Sequence, residues 1–180
     1  RFAGRITGVE PDAGVAVGAL LSLTAFTTHS WLAGFDSLDE YASLPVAVAD
    51  VFRAKFRAFL LLGPAAGLLA HLAGVAYLGA SPASALVGAA LLVGLQSYLY
   101  GVTVYAAGLR PDEFLFDALL FAGFTAAVAV PLVPVLVAAF ALPASPGAYA
   151  ALLVASALAG VAGVVLARRA PGRWARVSRG

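Results

Sequence analysis

DSLDEYASLPVAVADVFRAKFR, residues 36–57, holds seven of the chain's twenty charged residues and stands between long apolar runs. Outside it the sequence is hydrocarbon-loving almost everywhere. Of 180 residues 62% are hydrophobic and 11% charged, whereas a water-soluble domain has roughly a quarter charged. Five apolar runs of about twenty residues or more leave too little polar sequence for an aqueous surface. The reading is an all-α, polytopic integral membrane bundle of about five transmembrane helices plus a short cytoplasmic interfacial helix, forming a single transmembrane domain over 1–180.

The spans are read at about 14–35, 54–78, 83–108, 113–142 and 148–167, with a cytoplasmic loop at 36–57 and a basic tail at 168–180. In the first span Thr24, Thr27, Thr28, His29 and Ser30 form a polar second half. Their hydroxyls can bond back to a carbonyl one turn earlier or reach a neighbouring helix, so this face is expected to look inward. His29 reads either as a neutral hydrogen-bonded residue near the membrane surface or as part of a polar pathway. Trp31 suits an interfacial anchor.

Within the charged segment, Ser37-Leu38-Asp39-Glu40 has the form of a capping box. Leu44-Pro45 interrupts or restarts the helix, because proline disfavours helix in the residue before it and suits a new first turn. From Val46 onward Asp50, Arg53 and Arg57 make one charged stripe, and Val48, Val51, Phe52 and Phe56 an apolar one. That is an interfacial helix entering the bilayer. Gly63-Pro64 predicts a kink in the second span, and His71 inside it reads as a structural hydrogen-bonding residue with a pathway role as the alternative.

Gly79-Ala80-Ser81-Pro82 is a tight uncharged turn, so the second and third spans form an antiparallel hairpin. The third span combines Gly88, Gly94 and Gly101, suited to close helix packing, with Gln96, Ser97, Tyr98, Tyr100, Thr103 and Tyr105, a set able to line a cavity. Pro111, Asp112 and Glu113 suit the start of the fourth span. Asp117, one turn deeper, reads as a salt-bridge partner of Arg53 or Arg57, or as a gating group. Pro131 and Pro134 leave two options for the fourth span, one long kinked helix or a break near Val130.

Counting Lys and Arg orients the chain. Nine lie in the 36–57 segment, the Arg110 turn and the tail, and two, Arg1 and Arg5, lie on the other side. The positive-inside rule then puts the charged segment and the C-terminus in the cytoplasm of a cell-membrane protein and the N-terminus outside. With Arg1 in place of Met and no signal-peptide pattern, a preceding span is expected to be missing.

Several chemistries lack their residues. The chain has no cysteine and two distant histidines, which supplies no thiolate or clustered metal site. It contains no Walker A motif, H-E-x-x-H or G-x-S-x-G. No enzyme activity, catalytic residue, metal or bound cofactor is expected, and no nucleic-acid partner.

The order of a span, an acidic loop with Asp39 and Glu40, then Leu44-Pro45-Val46, Asp50, Lys55 and entry into the next span resembles the permease subunits of type 2 ABC exporters. Composition rich in Ala and Gly, with Arg favoured over Lys, resembles a high-GC, archaeal membrane protein. The resemblance implies that the five spans correspond to helices two to six, the first being absent, and that the fuller acidic-Gly-Thr pattern of many members is not carried. It implies a transport permease driven by a cytoplasmic ATP-binding subunit, which holds ATP and Mg, with a second permease copy or homologue in the lipid bilayer. Asp36, Asp39, Glu40, Leu44, Pro45, Asp50, Arg53 and Lys55 would couple to that partner, and Asp117, Arg57, His29, His71 and Gln96 would be intramembrane polar or gating groups. The competing readings are an ion- or proton-coupled carrier, drawn from His29, His71, Asp117 and the two prolines, and a non-transporting membrane scaffold subunit.

Overall fold

The computed structural model describes residues 11–28, 47–108 and 118–177. Among them every regular element is helical: α1 (Ala13–Ser22), α2 (Val48–Leu60), a π segment (Leu61–Ala65), α3 (Ala66–Leu78), α4 (Pro82–Ala106), α5 (Ala118–Ala141) and α6 (Pro146–Val177). Four apolar stretches, Ala49–Leu78, Pro82–Ala106, Ala118–Ala141 and Pro146–Trp174, are 24 to 30 residues long, more than the roughly 20 needed to cross a bilayer. Ala13–Thr28 is a shorter apolar helix, with a turn at Leu23 and Thr24. The chain is a multi-pass membrane protein with an all-α bundle.

Local chemistry sets most helix ends. The Asp12 carboxylate caps α1 by accepting from the N–H groups of Gly14 (3.1 Å) and Val15 (3.3 Å). The expected hairpin forms between α3 and α4. Gly79, at φ 64°, ends α3 in the left-handed conformation, Ser81 Oγ accepts from the Ser84 N–H, and Pro82 takes the first helical turn. Ser145 does the same for α6, accepting from the Ala148 N–H at 3.2 Å.

The bundle is built around α4, whose side chains are buried at most positions from Ser84 to Val104. Glycines let its neighbours approach closely. A Cβ on Gly18 of α1 would strike the Gly88 backbone, and one on Gly14 would strike Ser84. On the other side, Gly94 lies against Ser156 of α6, and Gly101 against Gly163. Both sets of partners rise in the same order along the chain, so α1, α4 and α6 run parallel while α2–α3 and α5 return between them. In a bilayer, where apolar burial gives helices no reason to associate, such backbone contact is a main source of cohesion.

Two expectations change. The polar face of the first span does not point uniformly inward: Thr24 and Thr27 are exposed, and α1 buries Gly14, Val15, Gly18, Ala19 and Ser22 instead. Small residues permit the close approach to α4, while the Thr24 and Thr27 hydroxyls donate within their own helix to the carbonyls of Leu21 (2.7 Å) and Thr24 (2.8 Å). The stretch read as a basic tail after 167 is helical to Val177, with Pro171 inside α6. Of the two options for the fourth span, the structure shows the continuous one, a single helix over Ala118–Ala141 containing both prolines; residues 113–117 lie outside the described ones. At Pro64 the expected irregularity takes the form of the π segment. Its i→i+5 bonding brings the next residue's N–H to the Leu60 carbonyl that proline leaves unserved.

Candidate functional site

Polar and charged groups concentrate in three places. At one end, α2 carries the charged stripe. Asp50 and Arg53 form an exposed ion pair at 2.9 Å, a single turn of helix apart, which contributes at most about 1 kcal/mol. Arg57 is also exposed, and Lys55 is half-buried. The opposite face anchors the helix: Phe52 and Phe59 are buried, and Phe59 stacks on Tyr100 of α4 with ring centroids 4.2 Å apart. Phe56 approaches the same ring at 5.6 Å. Such pairs add about 0.5–1.5 kcal/mol beyond burial, so α2 is fixed to the hub by its aromatic side and offers its charges outward.

The end of α6 closes over this region. Trp174 Nε1 donates to the Val104 carbonyl at 3.2 Å, one of the last-turn carbonyls of α4 that helix geometry leaves without an intrahelical partner. The Arg173 guanidinium lies 4.7 Å from the centre of the Tyr105 ring. Gly108, at φ 52°, lies directly under the Trp174 ring, where a side chain has neither the backbone conformation nor the space. A cleft of about 350 Å³ remains between α2 and α6, with Arg53 and Arg168 among its lining residues.

The second place is the middle of α4. Gln96, fully buried, donates through Nε2 to the Leu21 carbonyl at 3.1 Å and to Thr24 Oγ1 at 2.9 Å. His71 is equally buried, with Nε2 2.9 Å from the Ala85 carbonyl, an acceptor that places the proton on Nε2. Both groups bridge helices. Gln96, Ser97, Tyr100 and Thr103 lie in the packed interior, whereas Tyr98 borders a second cleft, of about 310 Å³, beside Leu95, Pro131, Leu132 and Leu158.

The third place was not singled out from the sequence. At the end opposite the arginines, Asp12 accepts hydrogen bonds from the Ser84 hydroxyl and the Tyr149 phenol, tying together the starts of α1, α4 and α6. Burial pushes its carboxyl pKa up, but these bonds and those from the Val15 and Gly14 N–H groups outweigh that and hold it below the ordinary value. Asp12 stands immediately before an apolar helix, the position of an N-cap, and that was the available signal.

The structure therefore brings Asp50, Arg53, Lys55 and Arg57 onto one helix and places His71 and Gln96 as separate interhelical links. His29, Asp36, Asp39, Glu40, Leu44, Pro45 and Asp117 lie outside the described residues, as does the proposed pairing of Asp117 with Arg53 or Arg57. No group of three or more potential metal-ligating residues occurs among the described residues. Fold and site together define a class, a multi-pass helical membrane protein with one strongly basic end. Comparison with protein-family models, curated proteins and solved structures gives no match.

Proposed function

We propose that this chain is the membrane-spanning permease subunit of an ATP-driven exporter, taking force from a separate cytoplasmic ATP-binding subunit through residues 36–57. The observation that carries the reading is the construction of α2. It is a charged amphipathic helix that continues through the π segment into α3 and is stacked on α4 by Phe59. A load applied to its charged face passes in two directions, along the chain into α3 and sideways into the hub. On this reading the arginine-rich end faces the cytoplasm and the Asp12 end faces out.

Transport requires a second arrangement of the helices with a different affinity for the two nucleotide states of the partner. α5 is the element suited to move: of its side chains only Val128, Leu132 and Ala139 are buried, so its displacement disrupts little packing. A second permease copy completes the pathway.

Reconstitution of the intact chain with candidate P-loop ATPases encoded beside it tests the reading. ATP-dependent flux that is lost on charge reversal at Asp39 and Glu40 supports it. Flux that persists without nucleotide and collapses with the proton gradient replaces it with a proton-coupled carrier, and absence of any flux replaces it with a scaffold.

A further inference from the structure

The cleft between α2 and α6 joins two chemistries that neither wall needs for its own packing. Its sides are apolar, formed by Phe52 and Phe56 of α2 and Val164 of α6, and Arg53 and Arg168, one from each helix, also line it. Both arginines are on exposed positions of their helices. Among the described residues the single ion pair is Asp50–Arg53, so Arg168 has no carboxylate within salt-bridge distance there. Arg53 gives one Nη1 bond to Asp50, and a guanidinium has five donors in a planar fork, which leaves most of that fork for another acceptor. Pro171, also on the wall, supplies no N–H to the Ala167 carbonyl beside it.

We propose that this cleft is a binding site for one anionic phospholipid, its phosphate held between Arg53 and Arg168 and the start of an acyl chain laid against Phe52, Phe56 and Val164. Charge complementarity fixes the sign of the ligand. The apolar walls fix its class, because a free phosphate gains nothing from two phenylalanines and a valine whereas an acyl chain does. The level in the membrane agrees: α6 carries no charge from Pro146 to Ala167 and then Arg168-Arg169 at this point, which is where headgroups lie and where basic pockets between spans take anionic lipids. The site joins the interfacial helix to the last helix, so its occupancy would clamp α2 against α6. It depends only on the chain being in a membrane, and holds whether or not the protein transports.

The test uses the full chain in lipid nanodiscs or mild detergent, with native mass spectrometry counting retained lipid and thermal unfolding as the second readout. Phosphatidylglycerol is expected to stay bound and to raise the unfolding temperature, and phosphatidylcholine to do neither. Arg53→Gln and Arg168→Gln are each expected to weaken retention on the order of fivefold, whereas Arg169→Gln, outside the cleft, should change it far less. Val164→Trp, which fills the apolar side without touching charge, should also lower retention. Should that variant fail to fold, the arginine pair still decides. Equal retention of the two lipids overturns the proposal, as does equal sensitivity to Arg168→Gln and Arg169→Gln, which would mean diffuse surface attraction. Protection by millimolar inorganic phosphate equal to that by phosphatidylglycerol overturns the lipid assignment in favour of a soluble anion.

Discussion

The phenol of Tyr98 on α4 donates to the carbonyl of Ala127 on α5 at 2.6 Å, and Ala127 stands four residues before Pro131. In an uninterrupted helix that carbonyl would receive the N–H of residue 131, which proline lacks. In hydrocarbon an unserved carbonyl costs several kcal/mol, so Tyr98 supplies what Pro131 withholds and lets α5 run unbroken. Tyr98→Phe is therefore expected to destabilise the bundle by about 1–2 kcal/mol. In a Pro131→Ala background, where the helix serves its own carbonyl, the same substitution should cost close to nothing. A double-mutant cycle on unfolding in mixed micelles measures this, and an unchanged cost in the second background would refute the pairing.

Gly18 is expected to tolerate no side chain. A Cβ there strikes the Gly88 backbone, so Gly18→Ala must push α1 away from α4 and should cost about 1–3 kcal/mol. Gly123→Ala, with nothing within 4 Å of the added atom, should be neutral or gain up to about 1 kcal/mol from helix propensity. Thermal midpoints of the two variants against wild type separate steric packing from propensity.

The bonds at Asp12 give stability an acid limb. Its folded pKa lies below the ordinary 3.8, so its contribution is complete above that value and disappears as the pH falls through the lowered one. Stability measured from pH 7 to 3 should fall less steeply at the acid end in Asp12→Asn than in wild type. Identical acid limbs would mean that the carboxylate is not held by Ser84 and Tyr149.

Orientation is open to direct labelling, because the chain has no cysteine to mask a new one. Cysteine placed at Ala144, before α6, should react with an impermeant maleimide on intact cells, and cysteine at Arg169 only after permeabilisation. The reverse pattern would invert the topology, and reaction of both from one side would show that α6 does not cross.

The fold was largely legible because the solvent is apolar: run length places the spans, and Gly79, Ser81 and Pro82 specify their hairpin by backbone chemistry alone. What escaped depended on distant partners. Asp12 meets residues 72 and 137 positions away, so its sequence neighbours show only a helix cap. The last span was read as ending near 167, but Trp174 and Arg173 find Val104 and Tyr105 on α4, contacts that hold the helix beyond that point. The threonines at 24 and 27 were expected to face inward, yet both are exposed and donate to carbonyls of their own helix one turn earlier. His71 and Gln96 stood out in the sequence as polar groups within apolar spans, and only the structure places the Ala85, Leu21 and Thr24 acceptors opposite them.

Whether the charged face of α2 receives an ATPase can be read with a photo-crosslinking amino acid at Asp50, on the exposed side of that helix. With the intact chain in its native membrane, the expected product is an adduct with a cytoplasmic P-loop ATPase whose yield changes with nucleotide. Adducts with lipid alone, in membranes where transport is demonstrably active, would contradict it.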